Sequence, residues 1–249
     1  MAGLYKVLQA PILITNLETA EMIKYAANSF LATKISYANA VAKLSEMLSA
    51  DGLKVLEGIG LDKRIGPMFL SPGPGYGGSC FPKDVKALMS IAHDYGYSFS
   101  LLEEVENIND QARRDIARKA RKLLGDLRGK TVGVLGLSFK ANTDDMRFAP
   151  AIDILNLLQN DGAKIKAFDP KAMESAKTIL KNIEYLDDPY SVADDADLLL
   201  ILTEWNEFKE MDLEEIKKRM KSPNIIDARN IFDPQKVKKL GFQYIGVGR

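Results

Sequence analysis

The 249-residue sequence is poor in the side chains that most often build metal centres and catalytic triads. It contains one cysteine, Cys80, and one histidine, His93. A single cysteine excludes a disulfide within the chain, and together with a single histidine it argues against a zinc centre or a histidine-based triad. The chemistry must therefore depend on lysine, arginine, acids, amides and one thiol.

An excess of charge of one sign and long apolar segments are also missing. The chain has 34 basic and 34 acidic residues, so its formal net charge is zero. This balance argues against a dedicated binder of nucleic acid or of anionic membranes. The longest strongly apolar run, residues 198–202, is far too short to cross a bilayer, and the first residues lack the apolar core of a signal peptide. We therefore expect a soluble, cytoplasmic protein.

The first half of the chain carries helical periodicity and no convincing strand. The run Thr-Asn-Leu-Glu at residues 15–18 fits a capping box, which predicts a helix that continues to about Leu48. Within this helix, residues 22–33 are apolar almost all round, so we expect most of this stretch to be buried. Apolar residues three and four apart predict a second long amphipathic helix over residues 100–124.

From Lys130 onward, short β-rich runs alternate with helical segments. This alternation predicts a parallel sheet with helices on both faces. The expected fold class is α/β, with an all-helical central domain at residues 1–128 followed by a Rossmann-like domain at residues 129–249. The predicted strands cover residues 131–136, 164–168, 198–202 and 224–227, and the predicted helices between them cover about 150–160, 171–180 and 212–220.

The most unusual segment is rich in glycine and contains the only cysteine. It runs from Ser71 to Asp84 and reads SPGPGYGGSCFPKD. Gly73, Gly75 and Gly78 match the dinucleotide-binding pattern G-x-G-x-x-G. We reject that interpretation because no predicted strand precedes them and no strand ending in an acid follows at the usual distance. We expect instead a flexible loop in which glycine lets the backbone approach a ligand closely.

Cys80 lies just before a predicted helix whose first turn contains Pro82. The positive end of the helix dipole favours a thiolate, which is the reactive form of cysteine. A helix end alone stabilises an anion only weakly, so a nearby cation or a base would also be needed. From the residues alone, a reactive thiol and an inert buried cysteine both remain open.

Two polar residues interrupt the apolar stripe of the first long helix. Lys24 and Asn28 lie one turn apart on a face that is otherwise apolar. A buried ammonium group is costly unless it is paired, so one interpretation is a cation and an amide directed into a cleft. The alternative is that Lys24 reaches outwards to solvent while Asn28 makes only a local hydrogen bond.

Five motifs follow one another along the chain. They are Glu21-x-x-Lys24-x-x-x-Asn28, Arg64-Ile65-Gly66, the string from Gly77 to Asp84, Phe139-Lys140 with Asp145-Met146-Arg147, and Asp227-Ala228-Arg229. Taken together and in this order, they resemble the motifs of the UDP-glucose/GDP-mannose dehydrogenase family. The resemblance extends over nearly the whole chain, and the string around the cysteine is most similar to the branch that oxidises UDP-glucose at C6.

The resemblance implies an NAD-dependent, two-step oxidation of the sugar C6 hydroxyl to a carboxylate, giving UDP-glucuronate from UDP-glucose. Cys80 would attack the aldehyde to form a thiohemiacetal and then a thioester, which suits a thiolate nucleophile. Lys24 and Asn28 would stabilise the oxyanion, and Asp84 would activate or orient water.

The predicted helices at residues 22–33 and 100–124 offer more apolar surface than one small helical layer can bury, which predicts a homodimer through the helical domain. The resemblance assigns binding residues and places Arg64 across this dimer. The residues assigned to the nucleotide sugar are Arg64, Phe69, Leu70, Tyr76, Gly77, Lys140 and Arg229, and those placed near NAD are Lys83 and Arg147.

One departure from the family pattern is large. Family members begin with an NAD-binding domain, whereas this sequence has no credible dinucleotide fingerprint. We therefore expect the main NAD-binding domain to be missing and the chain alone to be inactive. A smaller departure is Ala228, which stands where glycine is usual and would crowd the turn before Arg229.

Two hypotheses about function follow from this pattern. The first is the substrate-binding and dimerisation portion of a dehydrogenase that oxidises UDP-glucose. The alternative is a non-catalytic nucleotide-sugar-binding or assembly module that has lost its redox domain. The joint presence of Cys80, Lys24, Asn28 and Asp84 favours descent from an active enzyme.

Overall fold

The computed structural model describes residues 2–249, of which the first part is helical. The two predicted long helices and the predicted helix after Cys80 are present, and a further helix that was not predicted lies at Gly52–Gly60. Residues 61–80, which form turns, bends and irregular chain, separate the third helix from the fourth. The helices are α1 (Ala2–Tyr5), α2 (Leu17–Met47), α3 (Gly52–Gly60), α4 (Phe81–Asp94) and α5 (Ser100–Leu124).

The second part is a six-stranded parallel sheet with helices between its strands. The strand order is β3-β2-β1-β4-β5-β6, and every neighbouring pair is parallel. The strands are β1 (Thr131–Leu135), β2 (Lys164–Phe168), β3 (Ile183–Tyr185), β4 (Leu198–Ile201), β5 (Asn224–Asp227) and β6 (Gln243–Ile245). The helices are α6 (Pro150–Asn160), α7 (Met173–Ile179), α8 (Asn206–Lys209), α9 (Leu213–Arg219) and α10 (Pro234–Lys239).

The predicted α/β fold class is confirmed, and the remaining differences are local. The helix predicted from a capping box at residues 15–18 is capped by Asn16, whose side chain accepts a hydrogen bond from the Thr19 N–H at 3.0 Å. Predicted strands 131–136 and 198–202 each end one residue early; Gly136 turns the chain with φ +90°. The division into domains at residues 1–128 and 129–249 stays a prediction.

The sheet is buried on both faces because its central strands are apolar throughout. In β4, Leu198 and Leu200 pack on one face with α6, and Leu199 and Ile201 pack on the other with α8, α9 and α10. The long helix α5 joins the two parts. Its second half packs against the sheet through Ile116, while its first half packs against α2 and α4.

The prediction that residues 22–33 are mostly buried is wrong. Only Ser29 and Ala32 of this stretch are buried, whereas Met22, Ile23 and Phe30 are exposed. The reason is that α4 and α5 cover one side of α2 and leave the opposite, equally apolar side facing solvent.

Membrane-spanning helices were also sought in the structure. Over residues 2–249, none of the helices combines the length and the apolar composition that crossing a bilayer requires.

Candidate active site

A buried carboxylate lies at the centre of the candidate site. Asp84 is in the first turn of α4, and its side chain has no exposed surface. Its Oδ2 atom accepts hydrogen bonds from Lys24 Nζ at 2.7 Å and from Asn28 Nδ2 at 2.6 Å, and its Oδ1 atom accepts one from Lys83 Nζ. Lys24 and Asn28 reach it together because residues four apart share one face of α2.

The three donors keep Asp84 ionised. Burial by itself raises the pKa of this carboxyl group, but the hydrogen bonds from Lys24, Lys83 and Asn28 outweigh it and lower the pKa to about 2. A carboxylate with so low a pKa is a weak proton acceptor near neutral pH. The geometry therefore favours Asp84 as a group that orients the donors around it over the role of a base that activates water.

The two alternatives for Lys24 and Asn28 are each correct in part. The Lys24 side chain is 61% exposed, so its stem lies at the surface as the solvent-facing alternative expects. Its ammonium group nevertheless ends on Asp84, and so does the amide of Asn28. Both donors are thus directed at the neighbourhood of the first turn of α4, which begins directly after Cys80.

Cys80 is exposed at the start of α4, so it is not the inert buried cysteine of the alternative interpretation. Its carbonyl oxygen accepts the Asp84 N–H at 2.9 Å, which fixes the cysteine relative to the buried carboxylate. Two cations interact electrostatically with the thiol. The pKa of Lys83 is raised mainly by its hydrogen bond to Asp84 and further by Cys80, and that of Arg147 mainly by Asp145 and further by Cys80.

The glycine-rich segment before Cys80 is buried between the helical part and the sheet, whereas the sequence predicted a flexible loop. Its close approach to a ligand stays a prediction. A Cβ atom on Gly77 would overlap the carbonyl oxygen of Phe148, and one on Gly78 would meet the Phe139 ring at 2.8 Å. The Gly78 N–H also donates to the Arg147 carbonyl at 2.8 Å. Glycine is therefore required here so that the chain can approach its own backbone.

The rejection of a dinucleotide-binding turn at Gly73, Gly75 and Gly78 agrees with the structure. In the part of the chain that the structure describes, the segment is preceded by helices and no strand. Without a strand leading into it, this segment is not the turn of a βαβ unit.

Arg229 is held rigidly at the carboxyl edge of the sheet, directly after β5. Its side chain is 17% exposed, donates to the carbonyl oxygens of Leu202 at 2.8 Å and Phe139 at 3.0 Å, and pairs with Glu204 at 3.0 Å. Burial lowers its pKa, and Glu204 opposes that effect. The expected crowding by Ala228 does not occur, because this residue does not need the positive φ that favours glycine.

Lys140 follows β1 at the same edge of the sheet. Its side chain is exposed, and Nζ lies 5.3 Å from the centre of the Phe139 ring. Ligands of open parallel sheets bind at this carboxyl edge. Phe139 connects the two parts of the candidate site, because its carbonyl holds Arg229 while its ring packs on Gly78.

Some predicted sugar-binding residues are buried in the protein core. Tyr76 is 5% exposed, and its hydroxyl donates a hydrogen bond to Glu106, which with burial raises the pKa of the phenol. Leu70 is also buried. Their side chains face the interior of the protein, and their contact with the sugar stays a prediction. Phe69 is partly exposed and packs edge-on against Phe81 at 6.1 Å.

The structure does not bring Arg64 to the group formed by Asp84, Lys24, Asn28 and Lys83, called the Asp84 cluster below. Arg64 is exposed and pairs with Asp62 at 2.6 Å. The turn that carries it is fixed by Lys34, which donates to the carbonyl of Ile65 at 3.0 Å. Lys34 stands ten residues after Lys24 in α2, which corresponds to about 15 Å along the helix.

The sequence analysis missed three polar residues that hold the glycine-rich segment. Asn39 Oδ1 accepts the Gly73 N–H at 2.8 Å, while Asn109 and Arg113 bind the backbone of Tyr76. The available signal was the one that identified Lys24 and Asn28, namely a polar residue within the apolar stripe of a helix.

Both parts of the chain match models of one protein family. Residues 18–111 match the model of the UDP-glucose/GDP-mannose dehydrogenase family, central domain. Residues 133–234 match the model of the UDP-glucose/GDP-mannose dehydrogenase family, UDP binding domain. Together these two matches cover most of the chain, and the first of them includes the Asp84 cluster.

Relatives with similar sequences and structures carry related names. The chain is 49% identical over 247 residues to UDP-glucose 6-dehydrogenase TuaD of Bacillus subtilis, covering 99% of this chain and 54% of that protein. It is 46% identical to a UDP-glucose 6-dehydrogenase of Rhizobium meliloti, covering 97% and 55%. A UDP-glucose dehydrogenase structure from Pyrobaculum islandicum superposes with a TM-score of 0.89 at 37% identity, covering 98% and 54%. The chain thus spans about half the length of these relatives.

The Asp84 cluster predicts an acid-sensitive contribution to stability. Because the pKa of Asp84 is about 2 in the fold, below its ordinary value of 3.8, the contribution is complete above about pH 4 and lost as the pH falls through about 2. We expect Asp84→Asn to lower the free energy of unfolding by about 1 to 2 kcal/mol at pH 7 and to weaken its dependence on pH between 4 and 2. Urea titrations across this range measure both quantities.

Asp126 supplies the matched control. Its pKa is also lowered to about 2, by hydrogen bonds from Arg128, but it is exposed and solvent screens the pair. Asp126→Asn should therefore leave stability unchanged. An Asp84→Asn variant with wild-type stability and wild-type acid dependence would contradict the assignment.

Proposed function

Because this chain belongs to the UDP-glucose/GDP-mannose dehydrogenase family, we propose that it supplies the nucleophilic thiol and the nucleotide-sugar site of a UDP-glucose 6-dehydrogenase. The observation that carries this proposal is the cluster of Asp84, Lys24 and Asn28 beside the exposed Cys80. A core carboxylate that fixes a cation and an amide next to a solvent-accessible thiol suits covalent chemistry at a carbonyl carbon.

Cys80 is the proposed nucleophile. Its Sγ atom adds to the aldehyde carbon at C6 to give a thiohemiacetal, and after the second oxidation the carbon is held as a thioester until water releases the carboxylate. Lys83 and Arg147 are the cations that act electrostatically on the thiol. The thiolate is the form of a cysteine that attacks a carbonyl carbon, and positive charge nearby suits an anionic nucleophile.

Lys24 and Asn28 are the proposed donors to the oxyanion that forms at C6. Both already hydrogen-bond to the Asp84 carboxylate, so their positions are fixed before any ligand arrives. Donors that need no reorganisation stabilise a developing negative charge more effectively than mobile ones. We propose that Asp84 contributes by holding these donors, since its low pKa makes it a poor proton acceptor.

The carboxyl edge of the sheet is the proposed site for the nucleotide end of the ligand. Arg229 presents a buried, preorganised cation there, and Lys140 an exposed one. Positive charge at this edge suits a diphosphate. Gly77 and Gly78 join this edge to Cys80, so the diphosphate and the sugar would lie on either side of the glycine-rich segment.

NAD, when bound, would be the oxidant that accepts hydride from C6. Among residues 2–249, the turn after β1 does not form a cradle for its pyrophosphate. The backbone N–H groups of Leu137 and Ser138 donate instead to Asp169, at 2.7 and 3.1 Å, and α6 begins only at Pro150. Lys83 and Arg147 remain the proposed contacts with this cofactor, and the cytoplasmic location stays a prediction.

A homodimer through α2 is the proposed assembly. Ile23, Phe30, Tyr37 and Leu44 recur every seven residues and are between 47% and 66% exposed. A repeat of seven keeps these side chains on nearly one face, as in helices that pack against a second helix. The partner proposed for this stripe is α2 of a second copy. The exposed position of Arg64, away from its own Asp84 cluster, agrees with donation to a partner.

The first test concerns turnover. We expect the purified chain alone to produce no NADH from UDP-glucose and NAD. The reason is that the backbone N–H groups of the turn after β1 donate to Asp169 instead of forming a site for the pyrophosphate of NAD. Absorbance at 340 nm measures the product. Sustained NADH formation that disappears in Cys80→Ser would contradict this expectation, whereas formation that survives the substitution would indicate a contaminant.

The second test concerns the ligand. We expect UDP-glucose to slow the alkylation of Cys80 by iodoacetamide at least about threefold, because the sugar would cover the thiol. Lys140→Ala should weaken this protection, whereas Lys164→Ala, an exposed lysine at the opposite edge of the sheet, should not. Mass spectrometry of the peptide that contains Cys80 measures the rates. Equal rates with and without saturating UDP-glucose would contradict the proposed site.

The third test concerns the dimer. We expect a dimer by light scattering at micromolar concentration, and Phe30→Glu should yield monomers because it places a charge in the centre of the apolar stripe. Ile179→Glu is the matched control, since Ile179 is similarly exposed on α7, far along the chain from α2. A monomeric wild-type chain, or a dimer that Phe30→Glu leaves intact, would count against α2 as the interface.

A further inference from the structure

Asn109 is a buried amide in the middle of α5 and makes a two-point contact with the glycine-rich segment. The residue is 2% exposed. Its Oδ1 atom accepts the Tyr76 N–H at 2.7 Å, and its Nδ2 atom donates to the Tyr76 carbonyl at 3.3 Å. One side chain thus satisfies both polar groups of a backbone unit that water cannot reach.

The surroundings of this contact fit the amide closely. Gly75 has φ +102°, and a Cβ atom there would lie 2.6 Å from Asn109 Oδ1. Arg113, one turn further along α5, donates to the same Tyr76 carbonyl at 2.9 Å and pairs with Asp153 of α6 at 2.6 Å. The hydrogen bonds of Asn109 and Arg113 to the backbone of Tyr76 thus both come from α5.

The contact lies four residues before the thiol. Gly77, Gly78 and Ser79 are all that separate Tyr76 from Cys80, and the Gly78 N–H is held from the other side by the Arg147 carbonyl. Removing the Asn109 side chain would take away the acceptor of the Tyr76 N–H and loosen the near end of this short link, although Arg113 still holds the Tyr76 carbonyl. Cys80 would then lose its set position relative to Lys83 and Arg147.

We propose that Asn109 is a positioning residue for Cys80. Its amide touches neither the thiol nor the proposed ligand, and acts by fixing the backbone of Tyr76. This inference rests on the proposed role of Cys80 as the nucleophile, but its test does not need a bound nucleotide.

The experiment compares the alkylation rate of Cys80 by iodoacetamide, without nucleotide, in three variants of the full chain. Asn109→Leu keeps the side-chain size but removes both hydrogen bonds. Asn109→Asp keeps the acceptor for the Tyr76 N–H. Asn107→Leu is the matched control, because Asn107 is exposed on the same helix.

We expect Asn109→Leu to slow alkylation at pH 7 by about threefold or more, because the displaced thiol would move away from the positive charges of Lys83 and Arg147. Asn109→Asp should give an intermediate rate, and Asn107→Leu the wild-type rate. Circular dichroism and melting temperatures separate this effect from a loss of stability. A purely structural role would lower the melting temperature of the Asn109 variants and leave the alkylation rate of the folded protein unchanged.

A folded Asn109→Leu variant with the wild-type alkylation rate would overturn the proposal. If Asn109→Leu does not fold, Asn109→Asp decides, and a wild-type rate in that variant overturns it equally. The proposed function fails separately, when UDP-glucose does not protect Cys80 in the wild-type chain. The comparison of rates without nucleotide still decides the role of Asn109 in that case.

Discussion

The glycine-rich segment lies between the helical part and the sheet, so close to its neighbours that a side chain at Gly77 or Gly78 would overlap other atoms. Gly77 contacts the backbone of Phe148, and Gly78 contacts the ring of Phe139. Because this segment leads directly into α4, the closeness of that contact sets where Cys80 stands relative to the carboxyl edge of the sheet. A larger residue at either position would separate the two parts and move the thiol away from Arg229 and Lys140.

Hydrogen bonds and ion pairs among residues of the helical part hold the same region in place. A buried carboxylate is unfavourable unless it is fully hydrogen-bonded, and Asp84 meets this condition through Lys24, Asn28 and Lys83. The lysine stems lie at the surface while their charged ends meet below it. The cluster therefore ties α2 to the first turn of α4, which begins directly after Cys80.

Helices and strands with a sustained apolar pattern could be predicted from the sequence. Short strands that form only through pairing with other strands could not. The long helix α5 and the apolar strands β1 and β4 follow from their own patterns, whereas β3 and β6, with three residues each, depend on pairing with β2 and β5.

The candidate site shows the same limit. Lys24 and Asn28 could be identified because polar residues stand out in an apolar stripe. The inward orientation of Tyr76 could not be predicted, because it depends on Glu106 in a helix thirty residues later. Asn109 and Asn39 carried the available signal, but only their contacts with Tyr76 and Gly73 reveal what they hold. The low exposure of Arg229 likewise depends on carbonyl groups from two other loops. In each case the deciding partner lies far away in the sequence, so local patterns identify the residue type and leave its role open.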